Sequence, residues 1–132
     1  MAVEHPIADM ITRIENAGAV DKSAVEIPYS NMKHEVSELL AEEGFVDSVE
    51  KKGSGTDKRI SVALRYDDDG DHVIHETEVI SGPERRIYFS VDDIRPVKRG
   101  RGRLVITTPN GVLTGQSAKE ENVGGEPLFL IW

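Results

Sequence analysis

The chain has 132 residues, no cysteine, and 16 basic against 24 acidic side chains, giving a formal net charge of −8. That length suits one ordinary domain or two very small ones, and it lets roughly two-thirds of the unfolded surface be buried. Lack of cysteine excludes disulfides and thiolate metal sites and favours an intracellular setting; no stretch approaches the roughly 18 apolar residues of a membrane span, and the opening MAVEHPIADM has neither the basic start nor the apolar core of a secretory signal.

Taken in chain order, Pro6 to Ala17 predicts a helix. Ile7, Met10, Ile11 and Ile14 fall on one stripe, Pro6 suits the first turn, and Gly18 reads as the stop. Ser23 to Pro28 alternates and ends at proline, as a short edge strand does. Ser30 reads as the N-cap of a second helix, Asn31 to about Glu43, with Met32, Val36, Leu39 and Leu40 on its buried face and Gly44 at its end. The period then changes to two. Phe45 to Lys52 and Lys58 to Tyr66 are strands about a Gly53-Ser54-Gly55 turn, and a third strand runs from about His72 to Ile80 after the acidic turn Asp67-Asp68-Asp69-Gly70-Asp71. Beyond the Ser81-Gly82-Pro83 loop come a short strand (Arg86 to Phe89), one helical turn (Val91 to Ile94) and a basic loop (Val97 to Gly102). A strand (Leu104 to Thr107), a Pro109-Asn110-Gly111 turn, its continuation (Val112 to Thr114), a short helix (Gln116 to Glu121) and a closing strand (Pro127 to Trp132) complete the reading. The fold class is α+β: an N-terminal α-β-α-β-β(-β) subdomain, residues 1–80, and a β-rich C-terminal subdomain with a short helix, residues 81–132.

The net charge opposes nucleic-acid binding, which calls for Lys and Arg, but the distribution does not. Between Gly82 and Lys119 eight cations face three carboxylates, a net of +5, which leaves −13 for the remainder. The bland reading is an ordinary charged surface with a chance cluster; the sharper one is a phosphate-facing patch on a protein otherwise solvated by carboxylates. The acidic turn has the wrong flanks for a calcium loop, since an EF-hand loop joins helices. His5, His34, His72 and His75 form no metal-ligand grouping, and no phosphate-cradling glycine loop occurs, so neither a cofactor nor catalysis is expected. Thr107-Thr108-Pro109-Asn110-Gly111 places hydroxyls and an amide in a tight turn after a strand, groups that suit ribose hydroxyls and base edges. Taken alone, a plain polar hairpin turn explains those residues better.

Several separated motifs, in order, carry a resemblance. HPIADMITRIENA (His5 to Ala17), Pro28-x-Ser30 leading to a helix that ends Glu42-Glu43-Gly44-Phe45, Ser81-Gly82-Pro83-Glu84-Arg85-Arg86-Ile87-Tyr88, Thr107-Thr108-Pro109-Asn110-Gly111-Val112-Leu113-Thr114 and Val123-Gly124-Gly125-Glu126 together span nearly the full length. The chain resembles the family of the eighth protein of the small ribosomal subunit (universal S-eight, bacterial type). The resemblance implies two small α/β subdomains split near residue 80, no enzymatic activity and no cofactor. It implies direct binding to a helix in the central domain of small-subunit rRNA, early in assembly, among neighbouring small-subunit proteins and away from membranes. Bacterial members of the family can also repress their own operon by binding a similar mRNA structure. By position, the RNA contacts implied are Thr107, Thr108, Pro109, Asn110 and Gly111, with Glu126 ordering the site. Further contacts fall at Asp9, Thr12, Arg13 and Asn16, at Tyr29, Ser30 and Lys33, and at Arg86 and Tyr88.

The chain departs from the family pattern at particular residues. Pro109 stands in place of a serine and Asn110 in place of a lysine. Glu15 occupies a commonly basic position, Asn31 a common lysine, and Glu84 a glycine. Arg99, Arg101 and Arg103 occupy a loop that is usually Gly- and Leu-rich, and are expected to compensate with phosphate contacts. The competing expectation, from a different class, is a free-standing regulator or adaptor that binds an RNA hairpin with the same fold.

Overall fold

The computed structural model describes residues 6–132, so His5, which opens the first motif, lies outside the described residues. The chain divides into two compact units, Pro6–Ile74 and His75–Trp132. No helix among the described residues is long and apolar enough to cross a membrane.

The first unit begins with α1 (Pro6–Ala19), β1 (Ala24–Pro28) and α2 (Asn31–Glu42), followed by β2 (Val46–Lys52) and β3 (Arg59–Leu64). Its strands form an antiparallel sheet in the order β1-β3-β2. The register pairs Ile27 with Ile60 and Val25 with Val62, so the alternation read in the sequence becomes one apolar face. Onto that face pack Met10, Ile11 and Ile14 from α1 and Val36 and Leu40 from α2, all nearly free of solvent. Each such side chain removed from water contributes about 1.5–3 kcal/mol. Ser30 caps α2 through a hydrogen bond that its hydroxyl accepts from the Lys33 N–H at 3.1 Å.

Two residues of these helices behave differently from the expectation. Met32 is 37% exposed, and Ser37, a polar residue, is buried with Val36, Leu39 and Leu40. The Ser37 hydroxyl donates back to the Lys33 carbonyl at 2.7 Å, which satisfies it in the interior. Gly18 does not end α1. It lies inside the helix against the His72 ring, whose Nδ1 would stand 2.1 Å from a Cβ at that position. A packing glycine and a stop glycine read alike in sequence. The acidic turn folds around Asp67, whose carboxylate accepts the backbone N–H groups of Asp69 and Asp71 at 2.9 and 3.0 Å.

The second unit contains β4 (Thr77–Val79), β5 (Arg103–Thr108), β6 (Gly111–Thr114), α3 (Gly115–Glu120) and β7 (Glu126–Ile131). Its four strands run in the order β4-β7-β5-β6, all antiparallel. The third strand expected from His72 to Ile80 shortens to β4, which pairs with β7 rather than with β3. The strand expected from Arg86 to Phe89 is absent; only isolated bridges join Gly82 to Arg85 and Phe89 to Gly125. Glycine and proline in Ser81-Gly82-Pro83 already turn the chain there, and the exposed Arg86 and Tyr88 have no apolar face to bury. Ile94, Leu104, Ile106 and Ala118 form the core, with Phe89, Leu113, Val123 and Leu130 packed around them. Val91–Asp93 is one 3-10 turn in which Ser90 and Asp93 cap each other. The Ser90 N–H and then the Ser90 hydroxyl hold the Asp93 carboxyl below the usual carboxylate range.

Two outcomes follow. Gly→Ala inside a helix ordinarily stabilises by about 1 kcal/mol. Gly18→Ala should instead lower the urea midpoint, because the His72 ring must move, and a raised midpoint would show that the ring gives way freely. For Asp93 the folded carboxyl titrates below the ordinary value of 3.8. Its stabilisation is therefore complete above that value and is lost as pH falls through the lower, folded one. Asp93→Asn and the parent should differ in urea midpoint at neutral pH and converge in strong acid; a constant gap would contradict the assignment.

Candidate nucleic-acid interface

β5 carries the hairpin turn at its end. Thr107 and Thr108 close the strand half-buried, Pro109 and Asn110 are exposed, and Gly111 starts β6 with φ +110°, a conformation that suits glycine. The Thr108 hydroxyl donates to the Gly111 carbonyl at 2.9 Å and accepts the Asn110 N–H at 3.0 Å. It is therefore committed to holding the turn. The Asn110 side-chain amide donates to Glu121 at the end of α3, at 2.9 Å. Pro109 has no N–H. The side-chain groups of the turn left without an intramolecular partner are the Thr107 hydroxyl, the Asn110 side-chain oxygen and the second N–H of its amide, so the turn offers both donors and acceptors. Glu121 was not singled out by sequence reasoning; an acidic residue on a short helix gives no sign that a turn eleven positions earlier leans on it.

Beside the turn, β7 supplies Glu126, which pairs with Thr107 in the register. Its carboxylate accepts the Arg86 Nε–H at 2.7 Å, the arginine being 75% exposed and the glutamate 23%. Screened as it is, that pair is worth about 0.2–1 kcal/mol. Its main effect is to anchor a mobile cation next to Thr107. Phe89 and Gly125 exchange backbone hydrogen bonds at 2.8 and 2.9 Å. A Cβ on Gly125 would stand 2.0 Å from the Thr107 carbonyl oxygen, and one on Gly124 would stand 3.1 Å from the Tyr88 hydroxyl. These glycines let the 86–89 segment and β7 close on the end of β5. Tyr88, 69% exposed, remains as a bare aromatic ring beside the turn.

The family model for ribosomal protein S8 matches residues 5–132. The chain belongs to the ribosomal protein S8 family. It is 42% identical to small ribosomal subunit protein uS8 of Rubrobacter xylanophilus, 41% to that of Clostridioides difficile and 39% to that of Ruthia magnifica, each over 132 residues and the full length of both chains. As an S8 protein it is a structural, non-enzymatic component of the small ribosomal subunit in the cytoplasm, with rRNA and ribosomal proteins as its associates.

Within this S8 protein the expected site residues fall into three groups. Thr107, Thr108, Pro109, Asn110, Gly111, Arg86, Tyr88 and Glu126 gather at one end of the second sheet. Arg99, Arg101 and Arg103 lie at the other end of β5, which begins at Arg103, a strand length of roughly 16 Å from Thr108. Proximity in sequence therefore did not become proximity in space. Lys98, Arg99 and Gly100 are all left-handed, with φ of 48°, 56° and 89°, which turns the loop back on itself. Lys98 sits over the Trp132 ring, 4.4 Å from its centroid, and Arg103 donates to the carbonyls of Gly100 and Gly102. Arg13 and Asn16 are exposed on α1 together with Asp9 and Thr12, while Ser30 and Lys33 lie at the start of α2, in the first unit.

Thr108→Val should lower stability by about 1 kcal/mol, since both turn hydrogen bonds are lost. It should also accelerate hydrogen exchange at the Asn110 amide, and Thr108→Ser should restore both; unchanged exchange in the valine variant would contradict the bracing role.

Proposed function

We propose that this protein binds small-subunit rRNA directly, at a helix of the central domain, and that this contact helps the subunit assemble. The observation that carries the reading is the braced turn. Thr107 and Asn110 leave a hydroxyl and a carbonyl oxygen without intramolecular partners, next to an anchored guanidinium (Arg86) and an exposed ring (Tyr88). This is the complement of an RNA surface: ribose hydroxyls and base edges for the polar groups, a phosphate for the arginine and an unstacked base for the tyrosine. Thr107, Thr108, Pro109, Asn110, Gly111, Arg86, Tyr88 and Glu126 form this principal site. The 81–132 region is accordingly the main RNA-binding part of the chain.

Arg99, Arg101 and Arg103 act from the far end of β5 as a phosphate-attracting loop, separate from the turn. Arg13, Asn16, Ser30 and Lys33 contribute from the first unit. The same groups suit a structure of similar shape in the protein's own operon mRNA, and repression of that message belongs to the same reading.

The test is binding to a transcript of the central domain over a range of salt. Arg99→Ala, Arg101→Ala and Arg103→Ala combined should weaken binding and make the salt slope shallower, because phosphate contacts release counterions. Thr107→Val should weaken binding at an unchanged slope, since it removes a hydroxyl and no charge. A footprint confined to one central-domain helix is expected. Absence of protection there, or an unchanged slope in the triple variant, would overturn the corresponding part of the reading.

A further inference from the structure

Glu121 uses its carboxylate on a neutral amide. Among the described residues it forms no salt bridge, and one of its oxygens accepts the Asn110 side-chain N–H at 2.9 Å. Lys119, two residues earlier, donates to the Ile94 carbonyl instead. Asn110 and Glu121 are both exposed, where one hydrogen bond adds little to stability. The consequence of this contact is orientation.

The backbone under both residues is braced. The Glu121 N–H donates to the Ser117 carbonyl at 2.9 Å where α3 ends. α3 is fixed at its start by the Thr114 hydroxyl, which accepts the Ser117 N–H at 3.1 Å, and within by Ala118, which is fully buried. Beyond it the Val123 N–H returns to the Ala118 carbonyl at 3.0 Å. Thr114 is also the last residue of β6, the strand that leaves the turn at Gly111. The short helix therefore brings the chain back to the turn it has just left, with Glu121 set against Asn110. On the other side, the Asn110 N–H is tied to the Thr108 hydroxyl at 3.0 Å.

A side-chain amide has an oxygen that only accepts and an NH2 that only donates, whereas a carboxylate only accepts. Opposite Glu121, just one of the two flips of the Asn110 amide makes a bond, the one with nitrogen toward the carboxylate. That flip leaves the Asn110 oxygen without an intramolecular partner. Donation to an anion also polarises the amide and makes its oxygen a stronger acceptor. We infer that Glu121 is a positioning residue for RNA recognition: it sets the flip of Asn110, so that the turn offers an oriented acceptor to a donor group of the RNA, a ribose 2′-hydroxyl or a base amine. This inference rests on the proposed function and names the chemistry read at its turn. A phosphate is the wrong partner here, because it has no proton to give the oxygen and the adjacent carboxylate repels it. The cation of the site, Arg86, is held separately at Glu126.

The experiment uses the full chain and a transcript of the small-subunit central domain. Glu121→Ala removes a negative charge, so repulsion alone predicts tighter binding to a polyanion. Loss of orientation predicts the opposite sign: binding weaker by about two- to tenfold, the cost of ordering one side chain on association. Glu121→Gln has the same shape but can donate as well as accept, so it permits both flips; halving the competent population should weaken binding by about twofold. Thermal unfolding of each variant separates loss of contact from loss of fold. Asn110→Ala should weaken binding at an unchanged salt slope. Glu121→Ala should cost nothing more when added to it, since a positioning residue acts only through the residue it positions. With 2′-deoxy residues at the protected nucleotides, Asn110→Ala loses its effect if the donor is a ribose hydroxyl and keeps it if the donor is a base amine. Binding by Glu121→Ala as tight as the parent's or tighter, or a Glu121→Ala effect that persists beside Asn110→Ala, overturns the inference and leaves the proposed function standing. No binding by the parent overturns both.

Discussion

Where β7 leaves the preceding loop, the Gly125 backbone presses against the Thr107 carbonyl so closely that any side chain on the glycine would collide with it. This close approach lets β7 pair with β5 through to Glu126. It also admits the Phe89 backbone on its other side, and with it the segment that carries Arg86 and Tyr88. Without it, the turn, the anchored arginine and the exposed ring would not share one end of a sheet. The second unit thus assembles its candidate interface from three sequence segments by removing one methyl-sized obstacle.

A second economy concerns the turn itself. Thr108 spends both capacities of its hydroxyl on the backbone, and Glu121 takes the Asn110 amide. What projects outward is therefore a small set of groups in fixed directions. Rigidity of this kind reduces the ordering that binding must otherwise impose. It also gives the two threonines different roles, one bracing and one presenting, although their side chains are the same.

Much of the local structure was legible in the sequence because local rules determined it. The stripe of Ile7, Met10, Ile11 and Ile14 requires only helical periodicity, the Ser30 cap only its position, and the Pro109-Asn110-Gly111 turn only its residue types. What escaped depends on contacts distant in the chain. Gly18 looked like a helix stop because nothing local announces that His72 will pack against it. β4 looked like a continuation of the first sheet because strand membership is decided by pairing, here with β7. The arginine loop seemed to adjoin the turn until β5 extended between them.

The charge map has a consequence for selectivity. Acidic side chains outnumber basic ones by 24 to 16, and eight of the basic ones lie between Gly82 and Lys119. A polyanion that meets the molecule in an arbitrary orientation is repelled, and gains attraction only when its phosphates align with that stretch. A uniformly basic surface would grip any strand and rely on slow dissociation to correct its errors. Under the proposed function, rejection is built into the greater part of the surface, and discrimination would begin at encounter, before any base edge or ribose is read.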